Sequence, residues 1–547
     1  MKLVGVVALG AGLVSTISAQ ASTYHPCPLL GPFVPSPRID PASPSLQSAM
    51  GDFQSYIESY IKAGDGDFGP IKPNTTTFNI ALFAGSNYVA GDDAPPYFFN
   101  FSHIPTGRNN ASIDTGSQID MPYPIGDLTQ LFTVYTLLAE LGDGVWNVPI
   151  SRYLAIPAID AHRHGKNSSI GAVDLGGITL GALAGHMAGI ARDSHTCRVD
   201  KPCDQDLFFS HMQQEPRVYL PDTTPVYSNA AFQVLAFALE WSLGGSFERL
   251  LRRSLIKPLG LGTTDFLANA TTHDFNVANS SSVGEPAALG LYSSIHDLSK
   301  LGRSILTSSL LTPAQTRRWL KPISSTSNLR NAIGRPWEIY HYSKTPTDPI
   351  IDIYTKLGTI GNYSSYFGLV PAYDIGFAIL AQDGTGAPDL NAYADMALVA
   401  LGALDKLART QANDNLAGTF TLPGENITVQ LTGDDAGLAV TEWFVRDRDV
   451  LGTLAHDAGI ASVKNLDLRL YPQNHLENQK LYTSQSFQGV LQDKSAPVDA
   501  GTPTCISWKT VGLRPLKKFR FEEMDEDGKA QSLVYVDARY DRRKTVA

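Results

Sequence analysis

The sequence predicts an α+β domain followed by a smaller all-β domain, and three observations predict it. Apolar strand-like segments occur early, at Asn79–Ala84, and again late, at Ile353–Gly358, Ser365–Val370 and Ile375–Leu380, so they bracket a helix-rich middle. Composition then changes after a helical stretch at Asn391–Arg409. Beyond it come short alternating runs, Ala417–Thr421, Ile427–Leu431, Leu438–Thr441, Leu466–Leu470 and Leu533–Val536, separated by turns such as Asp527-Gly528. That spacing predicts a small antiparallel barrel or sandwich.

At the N-terminus, Lys2 precedes an apolar run from Leu3 to Val14 and small residues ending Ala19-Gln-Ala21. The run is too short to span a bilayer, so residues 1–21 read as a cleavable secretory signal. Residues 22–45, rich in Pro and Ser, read as an extended lead-in on the surface. Leu46, Met50, Phe53, Ile57 and Ile61 then recur at helical spacing and open a first domain over 46–409. Ala230–Leu243 reads as a helix stopped by Gly244-Gly245. Residues 410–547 form the second domain.

Five segments carry chemistry. Ile125-Gly-Asp-Leu-Thr-Gln-Leu131 opens the helical run Phe132–Gly144, and Ile178-Thr-Leu-Gly-Ala-Leu-Ala-Gly-His-Met-Ala-Gly189 follows. Then come Tyr227-Ser-Asn229, Lys257-Pro-Leu-Gly-Leu-Gly-Thr-Thr-Asp-Phe266 and Lys356-Leu-Gly358. In this order they resemble the serine β-lactamase, penicillin-binding-protein and esterase superfamily over roughly residues 50–400, in particular secreted fungal β-lactamase-like members. The resemblance implies an antiparallel sheet flanked by helices with a helical subdomain, and a lipocalin-like C-terminal domain. It also implies that Tyr227 and Lys356 handle protons, that Asn229, Gly358 and Thr359 line the ligand site, and that the backbone N–H groups of Asp127 and Thr359 form an oxyanion hole.

The first motif departs from the pattern. Asp127 stands where the family has its nucleophilic serine, and Gln130 where it has the lysine. Acyl transfer needs a hydroxyl, a base and oxyanion donors. Asp127 has no hydroxyl and Gln130 cannot titrate. An ionised Asp127 would also oppose a developing oxyanion by about 4 kcal/mol at 4 Å and an effective dielectric of 20. The literal Ser-x-x-Lys matches, Ser59–Lys62 and Ser254–Lys257, fall in the leading helix and in the Pro-Leu-Gly segment. A structural reading of Asp127-Leu-Thr-Gln130 is a capping box, with Leu128, Leu131, Phe132, Tyr135 and Leu138 as the buried face of the helix. Lys356 and Asp127 would then be a plain ion pair.

A functional reading keeps Tyr227, Lys356 and Asp127 as an acid–base set, since an ammonium beside a phenol favours phenolate. Three functions follow. One is a tailoring enzyme of fungal secondary metabolism that moves protons on a small molecule. Another is a pseudoenzyme that binds a small molecule or cell-wall fragment. The third is an ester or amide hydrolase with a relocated nucleophile. Thr129 should face away from the site, Ser364 and Ser365 lack an identifiable base, and His186 aligns with a structural histidine. With 12 His and no metal-ligand spacing, neither a metal nor another cofactor is expected.

Four cysteines fit an oxidising compartment. Cys197 and Cys203 could close a local loop, leaving Cys27 and Cys505, although three connectivities are open. Eight sequons, at Asn74, Asn100, Asn110, Asn167, Asn269, Asn279, Asn362 and Asn426, fit secretion with N-glycosylation. A net charge of −10 and a pI near 5.6 argue against nucleic-acid or anionic-membrane partners. No membrane span is expected, and the oligomeric state is open.

Overall fold

A computed structural model describes residues 33–543 apart from 92–93, 106–117, 155–174, 271–283, 344–349, 432–436, 474–483, 496–517 and 526–527. The chain divides into two units: Val34–Pro346 with Ile350–Asp414, and Met1–Phe33 with Thr347–Pro349 and Asn415–Ala547. The expected signal segment, Cys27, Cys505 and the sequons at Asn110, Asn167 and Asn279 lie outside the described residues.

The first unit is built on strands β1 (Thr76–Ala84), β2 (Phe99–His103), β6 (Ser324–Ser325), β7 (Asn331–Ile333), β8 (Glu338–Tyr342), β9 (Ile351–Ile360), β10 (Tyr363–Val370) and β11 (Ile375–Asp383). Strands β3 (Tyr123–Pro124), β4 (Asp265–Phe266) and β5 (Leu291–Ser293) make a separate small sheet. The large sheet is antiparallel in every pairing and runs β2-β1-β11-β10-β9-β8-β7-β6. β1 is buried along its whole length, which explains the apolar run Ile80–Ala84. Phe78 and Phe83, five positions apart, point to opposite faces. Phe78 packs on Tyr393 of the helix Asn391–Leu416, and Phe83 on Phe367 and against Gly302 of the helix Ile295–Leu306. The sheet is therefore covered on both sides.

Helix α1 (Pro44–Ala63) buries Leu46, Met50, Phe53 and Ile57, as their spacing predicts. Helix α2 (Thr129–Leu141) buries Leu131, Phe132, Tyr135 and Leu138 together with every other residue from Thr129 to Leu138, so it is a core helix with no solvent face in that stretch. The helix Ala230–Leu243 begins and ends where its sequence signals stand. Within the lead-in, the described residues 33–43 depart from expectation. Val34 and Ile39 are fully buried, and Ile39 exchanges backbone hydrogen bonds with Asn87 and Val89 at 2.9 and 2.8 Å. Apolar side chains spaced between the prolines bury this described stretch, where composition alone suggested an extended surface lead-in.

The second unit is a closed barrel, which resolves the choice between barrel and sandwich. Its strands are β12 (Gly418–Leu422), β13 (Glu425–Leu431), β14 (Leu438–Val445), β16 (Leu466–Pro472), β17 (Ser484–Asp493), β18 (Lys518–Met524), β19 (Ala530–Tyr535) and β20 (Ala538–Arg542), with β15 (Arg448–Asp449) as an appendage on β14. β12 pairs with both β13 and β20, and β13 also pairs with β14, so the ring closes and leaves no free edge among these eight strands. Phe420, Phe487, Phe519, Phe521 and Leu533 are fully buried, and ring contacts such as Phe487–Phe521 at 5.2 Å pack them together. Among the described residues no helix is long and apolar enough to cross a membrane.

Candidate functional site

The site forms where β9 passes under the start of α2. Gly126 sits in a tight turn at φ +53°, and a side chain there would strike the Thr359 backbone at 2.6 Å. Across from it, a Cβ on Gly358 would lie 2.1 Å from the Ile125 carbonyl oxygen and 2.6 Å from the Leu128 nitrogen. Backbone thus touches backbone, and the side chain of residue 127 falls within reach of the Thr359 N–H. Both obstructions are backbone, so Gly358→Ala must push the strand away. It is expected to cost about 3 kcal/mol in chemical denaturation.

The capping-box reading of Asp127 and Gln130 is overturned, because neither side chain caps the helix. Asp127 Oδ2 accepts the Thr359 N–H at 3.1 Å, and Oδ1 accepts the Tyr227 hydroxyl at 2.9 Å. Gln130 Nε2 donates to the Tyr227 oxygen at 3.1 Å and to Asn229 Oδ1 at 2.9 Å. Asn229 Nδ2 passes the chain on to Asp193 Oδ1 at 2.7 Å. Long-range donors have outcompeted the helix's own N–H groups.

Nor is Lys356 simply paired with Asp127. Its ammonium lies 2.5 Å from Glu338 Oε1 and donates to the Tyr227 oxygen at 3.0 Å. Glu338 Oε2 also accepts the Leu357 N–H at 3.3 Å. This carboxylate was not singled out from sequence, because it reaches Lys356 only through the β8–β9 register, in which Glu338 faces Thr355.

Electrostatics correct a second expectation. Burial raises the Tyr227 pKa above its ordinary 10.0; Lys356 lowers it, while Asp127 and Glu338 raise it further. The phenol therefore stays protonated, a donor rather than a base. Burial alone would lower the Lys356 pKa, but Glu338, Tyr227 and Asp127 outweigh it and hold the ammonium charged. His186 stacks on the Tyr227 ring at 4.3 Å and accepts the Ser228 N–H at 3.1 Å. Burial, with Lys356 and Arg192 nearby, holds it well below its ordinary 6.5, so it is neutral.

The other candidate nucleophiles are occupied elsewhere. The Thr129 hydroxyl accepts the Leu291 N–H, and Ser364 and Ser365 donate to the Pro388 and Ile125 carbonyls. Ser59 and Ser254 donate to helical carbonyls, and Ser254 also meets Glu140. Cys197 and Cys203 form a disulfide with Cα atoms 4.9 Å apart.

Comparison with known proteins finds relatives for both units. A family profile described as beta-lactamase matches residues 103–401, and one described as "Beta-lactamase-like-like, C-terminal domain" matches 408–542. A "Probable hydrolase" of Phoma sp. is 30% identical over 275 residues, covering 47% of this chain and 44% of that protein, so the match spans under half of that relative. A "Beta-lactamase-like protein" of Arthroderma benhamiae is 27% identical over 496 residues, 80% of this chain and 78% of its own length. Among solved structures, the octameric penicillin-binding protein homologue from Pyrococcus abyssi is similar at 16% identity and a TM-score of 0.48, covering 90% of this chain and 99% of that one.

Proposed function

The chain belongs to the beta-lactamase family, and on that premise we propose that it acts on a small molecule by proton transfer instead of through an acyl-enzyme. Asp127 and Gln130 replace the family's serine and lysine in this reading. The observation that carries it is the Asp127 carboxylate held between the Tyr227 hydroxyl and the Thr359 N–H. One acceptor oxygen therefore lies on the Thr359 donor of the expected oxyanion pair, where negative charge would have to develop in acyl transfer.

The same geometry suits a base. Asp127 takes a proton from the bound molecule, and the Tyr227 hydroxyl hydrogen, held by Asp127 Oδ1 in the free site, turns to the oxygen that gains charge. Lys356, kept cationic by Glu338, lies 3.0 Å behind the phenol and stabilises any negative charge left there. Asn229, Gln130, Gly358 and Thr359 shape and orient the site in this proposal. A tailoring role in fungal secondary metabolism is part of this proposal, in keeping with fungal relatives named as a probable hydrolase and a beta-lactamase-like protein, and the leader and sequons support secretion with N-glycosylation. Asn362, in the turn between β9 and β10 three residues past Thr359, would carry a glycan near the site.

Deuterium exchange at acidic C–H positions of small ketones and 1,3-diketones, read by NMR, tests the proposal. The wild type is expected to accelerate exchange in at least one probe, and Asp127→Asn to lower that rate about 100-fold. No acceleration in any probe, or exchange unaffected by Asp127→Asn, sinks the reading. A binding pseudoenzyme is the second reading, favoured by the three hydrogen bonds that fill the one donor and two acceptor places of the Tyr227 hydroxyl. It expects saturable ligand binding that is indifferent to Tyr227→Phe.

A further inference from the structure

We propose that Arg192 is the residue through which the site recognises its ligand, and that this ligand carries a carboxylate. The inference rests on the proton-transfer reading and concerns the other end of the bound molecule. Lys356 is the obvious cation, yet its side chain is 0% exposed and Glu338 already stands 2.5 Å from its ammonium. A ligand carboxylate could reach it only by displacing Glu338. Arg192 differs on both counts: 64% of its side chain is exposed, and its guanidinium carbon lies 5.0 Å from the Tyr227 ring centroid. It meets Asp193 only at 3.6 Å, and the other oxygen of that carboxylate is taken by Asn229.

The backbone beneath Arg192 is fastened to the Tyr227-Ser-Asn229 motif. The Ala191 carbonyl accepts the Ser228 hydroxyl at 2.7 Å, and the Arg192 carbonyl accepts the N–H groups of Asn229 and Ala230 at 2.7 and 3.0 Å. Two residues on, the Ser194 N–H donates to Glu285 Oε1 at 2.6 Å, and Glu285 is wholly buried. These bonds make a rigid ledge that holds an exposed guanidinium beside the ring of the proposed acid. A planar fork of donors matches a carboxylate's two oxygens, which a lone ammonium does not. A ligand anchored there extends across the Tyr227 ring toward Asp127, with its own negative charge balanced by Arg192.

Calorimetric titration of the full chain with matched pairs, benzoate against benzamide and phenylacetate against phenylacetamide, tests this without needing turnover. In the wild type at least one carboxylate is expected to bind about fivefold tighter than its amide. Arg192→Gln is expected to abolish the difference and Arg192→Lys to keep part of it. Absence of a carboxylate preference in every pair, or a preference that survives Arg192→Gln, overturns the proposal. A failure of the proton-transfer reading would show separately, as deuterium exchange indifferent to Asp127→Asn while the Arg192-dependent preference persists.

Discussion

Asp127→Ser combined with Gln130→Lys is expected to make the protein hydrolyse short aryl esters, by about a thousandfold or more over wild type, because the change restores all three missing parts of acyl transfer at once. The serine supplies the hydroxyl. Loss of the carboxylate releases the Thr359 N–H, now bound to Asp127 Oδ2 at 3.1 Å, to face an oxyanion. A lysine at 130 carries its amine one bond further out than Gln130 Nε2, which now lies 3.1 Å from the Tyr227 oxygen and 2.9 Å from Asn229 Oδ1, and so brings a base into the same cluster. The charged Lys356 nearby favours its neutral, basic form.

Two partial variants divide these contributions. Asp127→Ser alone gains hydroxyl and donor but no base, and should stay well below the double variant. Asp127→Asn with Gln130→Lys has the base without a hydroxyl and should remain silent. Initial rates on aryl acetates provide the measurement, together with mass spectrometry to locate fluorophosphonate labelling on the serine introduced in the double variant. Hydrolysis by wild type that Tyr227→Phe stops would mean that Asp127 does not mark the loss of the nucleophile.

Much of the scaffold was legible because its signals are local. Ala230–Leu243 is bounded by Asn229 and Gly244, and β10 and β11 are apolar runs separated by a turn. Asp127 shows where local reasoning fails. Asp-x-x-Gln before an apolar run satisfies the capping pattern, yet the Asp127 carboxylate binds a backbone N–H 232 residues away. Gly126 and Gly358 were visible, but not that each was needed so that two backbones could touch.

Glu338 and Arg192 were missed for a related reason. They reach the site through strand register and loop fastening, which leave no periodic trace in sequence. The Tyr227 pKa shift has the opposite sign to that expected because the nearby cation was legible and the burial was not.

Lys356→Met tests whether the charge network holds the fold as well as the chemistry. Removing one partner of a buried ion pair leaves the other uncompensated, at a cost of about 3–5 kcal/mol. Glu338 keeps 41% of its side chain in solvent and can rehydrate, so the lower end, about 3 kcal/mol, is expected in urea denaturation. Lys356→Met with Glu338→Gln should recover at least half of that loss, since the stranded charge is gone; equal stability of the single and double variants would show that the stranded Glu338 charge is not the source of the loss.

The pH dependence follows from the direction of the Lys356 shift. Its pKa in the fold lies above the ordinary 10.5, so its stabilisation is fully present below that value and is lost as pH rises through the folded pKa. The stability gap between wild type and Lys356→Met should therefore stay constant across neutral pH and close only in strongly alkaline solution. A gap that closed near neutrality would mean that Lys356 is neutral in the folded protein, and the cation placed behind Tyr227 would be lost with it.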